Sequence, residues 1–165
     1  MISFLVWLPI LFFLVVIQKT IVDVLTFHLL SIDLAMIFVV FSGLNMGILR
    51  GGLLTLWVGF LVSILTGFVT SLFMCVYLII FSLSRLVSIR ILSGTSLFIV
   101  CFTTLCAVIE GILLVVINRY SYLGVENVDT ALWALLPQIP VLGIISPFFF
   151  RGFKRIEKLI HVRKS

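Results

Sequence analysis

Apolar residues run along this chain in long, nearly uncharged stretches, from Ile2 to Ile17, Leu34 to Leu49, Gly51 to Ser84, Ser93 to Ile117 and Ala131 to Phe150. Stretches of this kind read as helices that cross a membrane. The third is too long for one crossing. As a single helix, Gly51 to Ser84 would extend about 51 Å at 1.5 Å per residue, against a hydrocarbon core about 30 Å thick, so it is expected to fold back once near Gly67. Six spans result. The two halves of the third stretch have only about 16 residues each, so thinning of the bilayer or burial of the helix ends by neighbours is expected there.

Composition supports the same class. Hydrophobic residues make up 63% of the 165 and charged residues only 10%, a balance that no ordinary soluble domain shows. A chain of this size cannot hide so much apolar surface from water by folding alone. The N-terminal stretch has no basic residue before it and no AxA-like cleavage site after it, so it is expected to remain as the first span.

The net charge of +5 is not spread evenly. Arg151, Lys154, Arg155, Lys158, Arg163 and Lys164 crowd the C-terminal segment against one acid, Glu157, and the rest of the chain balances. With the N-terminus inside, nine of the 11 basic residues fall on the cytoplasmic side, and only Lys19 and Arg119 fall outside. This asymmetry orients a membrane protein with both termini in the cytoplasm. The outer loops, around Gln18 to Asp33 and Asn118 to Thr130, carry Asp23, Asp33, Glu126 and Asp129. Trp7, Trp133, Tyr120 and Tyr122 lie near span ends, as interfacial anchors do, and Pro137, Pro140 and Pro147 are expected to bend the last span.

The expected fold is therefore all-α: a polytopic membrane bundle of about six transmembrane helices over residues 1–150, then a basic amphipathic cytoplasmic tail over 151–165. In the tail, Phe153, Ile156 and Ile160 recur at helical spacing while Arg151, Lys154, Arg155 and Lys158 point elsewhere. This suits a short helix on the inner leaflet, with each basic residue contributing about 1 kcal/mol near anionic lipid, or a docking site for a cytosolic protein. The basic segment lacks the aromatic and glycine pattern of an RNA-binding surface, so no nucleic-acid partner is expected.

Small residues recur every fourth position through Gly43, Gly47, Gly51, Thr55, Gly59, Ser63, Gly67 and Ser71. A groove of this kind lets two backbones approach where lipid supplies no hydrophobic drive for association. It would pack the chain's own second, third and fourth spans, or seat a partner's transmembrane helix. Glu110 is the one ionisable residue deep within an apolar stretch, and must be protonated, paired, or turned into the bundle or a partner. Thr103 and Thr104 on the same helix are candidates for interhelical hydrogen bonds.

Catalysis and cofactors are not expected. His28 and His161 fall on opposite sides of the membrane by this topology, and no GxSxG, HExxH or phosphate-binding glycine loop occurs. Cys75, Cys101 and Cys106 lie in apolar stretches without metal-ligand spacing and read as small packing residues. An intramembrane aspartyl hydrolase would need asparagine-flanked aspartates at defined span ends, and Asn127-Val128-Asp129 alone approaches that pattern.

The chain as a whole resembles the MreD family, the small membrane subunit of the bacterial rod-shape complex, or elongasome. The resemblance rests on Ile32-Asp33-Leu34 opening the second span, on Gly51-Gly52-Leu53-Leu54 leading into Gly59-Phe60-Leu61, and on Gly67. It continues through Tyr77 to Arg85 with Arg90 close behind, and through Leu135-Leu136-Pro137 and Ser146-Pro147-Phe148-Phe149-Phe150 before the basic terminus. Family members commonly carry an aspartate where this chain has Ser63. The resemblance implies a non-catalytic scaffold in the bacterial inner membrane that takes part in regulating cell shape. It would bind the bitopic protein MreC and connect MreB filaments to the peptidoglycan synthase RodA and its class B penicillin-binding protein. In size and span count the family is also similar to the substrate-binding S-components of energy-coupling-factor transporters. That likeness raises an alternative, a vitamin-binding subunit using Asn118, Tyr120, Tyr122, Glu126, Asn127 and Asp129.

Overall fold

The computed structural model describes residues 2–25, 33–66, 70–90, 96–120 and 138–162. These form six helices, α1 (Ile2–Leu25), α2 (Leu34–Asn45), α3 (Ile48–Thr66), α4 (Thr70–Arg90), α5 (Ser96–Tyr120) and α6 (Gln138–Val162), with no strand among the described residues. The long third stretch is divided as its length required, into α3 and α4. Its expected turning point, Gly67, lies outside the described residues.

Among the described residues, two helical segments qualify by length and apolar composition to cross a membrane, Ile48–Thr66 and Ser96–Val116, where the hydrophobic pattern led us to expect six. The apolar segments Val6–Thr20, Leu34–Asn45 and Phe73–Ser88 are shorter. The physical reason is plainest for α2. Its 12 residues reach only about 18 Å at 1.5 Å per residue.

This short helix is the centre of the molecule. α2 packs against each of the other five helices, and α3 and α4 make the most extensive contact of all. Every residue of α2 from Ala35 to Gly43 is buried. Side-chain pairs give the relative directions. Gln18 meets Asp33 while Trp7 meets Phe41, so α1 and α2 run antiparallel. Tyr77 meets Asp33 and Arg85 meets Met46, so α4 runs parallel to α2. Gly51 faces Phe81 and Gly59 faces Met74, so α3 opposes α4. Glu110 lies by Asp33 and Cys106 by Ser84, so α5 opposes both α2 and α4. From α1 to α5, successive helices therefore reverse direction.

An aromatic cluster fills the half of the bundle away from Asp33. Phe38 and Phe41 of α2 meet Trp7 of α1 and Phe150 and Phe153 of α6, with ring centroids 5.3 Å apart for Trp7–Phe38, 5.4 Å for Phe41–Phe150 and 5.5 Å for Phe38–Phe153. Tilted and edge-to-face pairs at such distances each contribute about 0.5–1.5 kcal/mol beyond the area they bury. Trp7 is thus a core residue, 3% exposed, rather than the interfacial anchor its place near a span end suggested. The corresponding expectation for Trp133, Tyr120 and Tyr122 falls outside the described side chains.

α6 is one unbroken helix through the position where span and tail were expected to part. Its apolar face at Phe153 and Ile156 packs on the bundle core, so at these two positions the amphipathic pattern is satisfied by protein. Pro147 sits inside α6 and leaves the Gly143 carbonyl without its usual backbone donor. The neighbouring Ser146 hydroxyl donates to that carbonyl at 2.8 Å, which helps the helix tolerate the proline. Pro140 lies in the first turn, where a missing N–H costs no intrahelical bond. Pro137 is outside the described residues.

Small residues set the closest approaches between helices. A Cβ on Gly43 would collide with the Cβ of Ser84, and one on Gly51 would lie 2.7 Å from the Phe81 ring. A Cβ on Gly59 would lie 3.0 Å from the Met74 backbone. Gly47, between α2 and α3, has nothing within 4 Å. Gly43→Ala should therefore force α2 from α4 and lower stability by about 1–3 kcal/mol, while Gly47→Ala should leave it nearly unchanged. Unfolding of the two variants in mild detergent checks this, and equal losses would contradict the packing described.

Candidate functional site

The N-terminus of a helix presents backbone N–H groups that have no acceptor within the helix. For α2 this end meets the bundle interior, and the sequence supplies acceptors. Asp33 is the N-cap residue, and its Oδ1 accepts the Ala35 N–H at 3.1 Å. The same N–H also donates to Gln18 Oε1 at 2.9 Å, and Gln18 Nε2 in turn donates to Asp33 Oδ1 at 3.1 Å. The Tyr77 hydroxyl donates to the other carboxylate oxygen, Oδ2. Asp33 thus gathers donors from α1, α2 and α4, and its negative charge lies where the α2 dipole favours it.

Glu110 completes the group from α5. Its residue is 2% exposed, and Asp33 lies close enough to interact with its carboxyl by charge and by hydrogen bonding. Tyr77 is also within reach of its charge. Neither Glu110 oxygen, however, has a partner at full hydrogen-bonding geometry. Glu110 is thus turned into the bundle, beside Asp33. Its burial within the bundle keeps it off any surface that a partner helix would meet.

The opposite end of α2 is finished in the complementary way. Arg85 donates to the Met46 carbonyl at 3.1 Å, and Ser88 donates to the Leu44 carbonyl at 2.8 Å, both from α4. A cation beside the last carbonyls suits the negative end of the helix dipole. Arg85, which follows the third apolar stretch directly, is a half-buried helical residue. Midway along the helix, the hydroxyls of Ser42 and Thr55 join α2 to α3 at 3.2 Å.

The remaining sequence candidates separate by location. Gly43, Gly51 and Gly59 face α4 of the same chain, and the buried Ser63 hydroxyl donates to the Gly59 carbonyl at 2.8 Å. Along these residues the groove is filled from within the chain. Gly67 lies outside the described residues. Thr104 donates to the Val100 carbonyl of its own helix, and Thr103 Oγ1 is buried without a partner, so neither makes an interhelical hydrogen bond among the described residues. Cys106 is buried against Ser84, whereas Cys75 and Cys101 are exposed. No group of three or more His, Cys, Asp or Glu side chains able to hold a metal occurs among the described residues. Arg151, Lys154, Arg155 and Lys158 are exposed along α6. The outer-loop residues on which a vitamin site or an aspartyl pair would depend, Asn118 to Asp129, have no described side chains.

Sequence reasoning reached Asp33 and Glu110 singly and did not pair them. It missed Gln18, Tyr77 and Arg85 as interior partners. One signal was present: Asp33 stands immediately before an apolar run, the position of an N-cap. Compared with known proteins, the chain matches no protein-family model, no curated protein and no solved structure.

The cluster predicts a pattern of costs. Tyr77→Phe and Gln18→Leu should each lower stability by about 1–3 kcal/mol, because each removes a donor from the half-buried Asp33 carboxylate. The double variant should lose a different amount from the two losses added, since both act on Asp33. Reversible unfolding in detergent micelles measures all three. Strict additivity would show that the two donors do not work through one acceptor.

Proposed function

We propose that this chain is a multi-pass protein of the bacterial cytoplasmic membrane, with six crossings and both termini in the cytoplasm. In this reading it is a non-catalytic scaffold subunit of the rod-shape, cell-wall elongation complex. It binds a bitopic MreC-like protein and through it links MreB filaments to RodA and its class B penicillin-binding protein. The basic residues of α6 meet anionic lipid at the inner leaflet.

The observation that carries this reading is how the bundle uses its residues. Its centre is occupied by α2 and the Trp7, Phe38, Phe41, Phe150 and Phe153 cluster, and its small-residue seam is closed by α4. The outer faces remain. On α3 alone, Leu49, Leu53, Trp57, Phe60 and Ile64 are exposed at spacings of three and four residues. Large apolar side chains on an outer face fit lipid and the transmembrane helices of partners. The alternation of direction from α1 to α5 supports successive crossings, and the short α2 fits a helix held inside the bundle at membrane depth, since buried ends are tolerated where protein satisfies them.

Affinity purification in mild detergent should recover a bitopic MreC-like protein with the tagged chain. Failure to recover one with a folded bait would remove the scaffold reading. A reporter fused after Ser165 should be active in the cytoplasm, and activity only outside the cytoplasm would remove the six-crossing topology.

A further inference from the structure

We propose that Glu110 and Asp33 together form a buried binding site for a single proton, held between the two carboxyl groups. The two are near neighbours, yet the structure treats them differently. Asp33 receives three donors, from the Tyr77 hydroxyl, the Gln18 amide and the Ala35 N–H, and lies at the positive end of α2. That environment is built for a carboxylate. Glu110 lies deeper in the bundle, fully buried where Asp33 is half-buried, and has no donor on either oxygen. An unpartnered buried carboxylate beside a second one is costly, and one proton on Glu110 removes the like-charge repulsion while supplying an O–H that points to an acceptor already in reach.

Among the described residues, no cation pairs with either Glu110 oxygen. From α1 the pair meets the neutral amide of Gln18, from α4 the hydroxyl of Tyr77, and from its own helix Glu110 has the thiol of Cys106. Arg85 on α4 is engaged at Met46, the far end of α2 and about 18 Å away by helix length. On α6 the first basic residue, Arg151, follows Phe150, which packs on Phe41 toward that same far end. Loss of the proton would set two like charges between the head of α2 and α5, so occupancy of the site is tied to the packing of these helices. This inference needs only the helical bundle and is independent of the scaffold reading.

The test uses the full chain purified in detergent. Infrared difference spectroscopy at neutral pH should reveal a protonated carboxylic acid that is lost in Glu110→Gln. Stability should fall as pH is raised until Glu110 gives up its proton, since up to that point the folded state keeps a proton that the unfolded chain releases. The unfolding equilibrium should change about tenfold per pH unit for one such proton. In Glu110→Gln, whose amide imitates the neutral acid, that dependence should be absent. A spectrum without the band, a band that persists in the variant, or the same pH dependence in both proteins would overturn the proposal. So would stabilisation of the wild type by sodium over potassium at equal ionic strength, which would assign the site to a metal cation. If Glu110→Gln does not fold, the wild-type spectrum decides, because a chain without the protonated-acid band has no such site.

Discussion

A helix only 12 residues long at the centre of the bundle imposes the main constraint on this structure, because both of its ends must be satisfied by side chains. Unpaired backbone groups buried away from water cost about as much as lost hydrogen bonds, and there are up to four at each end. The chain meets this demand with charge of the appropriate sign. Asp33 stands at the N-terminus with Gln18, and Arg85 stands at the C-terminus with Ser88. α4 contributes to both ends, through Tyr77 above and Arg85 below, which fixes its direction and register relative to α2. Several polar residues that look out of place in an apolar sequence are therefore consequences of one short helix.

Packing around α2 then divides by side-chain size. On the side of α4, absent side chains at Gly43, Gly51 and Gly59 bring helices together so closely that one added carbon would meet Ser84, Phe81 or Met74. On the sides of α1 and α6, large rings fill the space instead, with Phe153 touching Trp7, Phe38 and Phe41. Glycine seams give backbone proximity and van der Waals contact without hydrophobic drive, whereas interlocked rings give area and shape. The combination holds α2 from opposite sides and leaves little freedom for it to slide.

The sequence made the helical class readable because uncharged runs are too long for strands, and the split of the third run followed from length alone. The internal use of the small-residue groove was one of two open readings, and its facing surface could not be chosen from spacing, which identifies a stripe but not what lies on it. The polar cluster was harder. Gln18, Asp33, Tyr77 and Glu110 are scattered over four helices, and no local pattern relates residues so far apart in sequence. Phe153 and Ile156 misled for a related reason: an amphipathic pattern looks the same whether lipid or protein covers its apolar side, and here the bundle core does.

Burial also redistributes where partners can act. Glu110 stands out as a lone acid in an apolar stretch, but an acid buried inside the bundle can influence a partner only through the helices around it. α5 carries this acid on one face and exposes Leu97, Cys101, Leu105, Val108, Ile112 and Val116 on another. Because a helix turns and shifts as a unit, any shift of α5 at Glu110 would carry that outer row with it. On the six-crossing reading, the outer row is the part of α5 that meets lipid or a partner's helix. The buried pair and the outer apolar row of α5 thus belong to one element, which is the physical requirement for an interior group to act at a surface it does not touch.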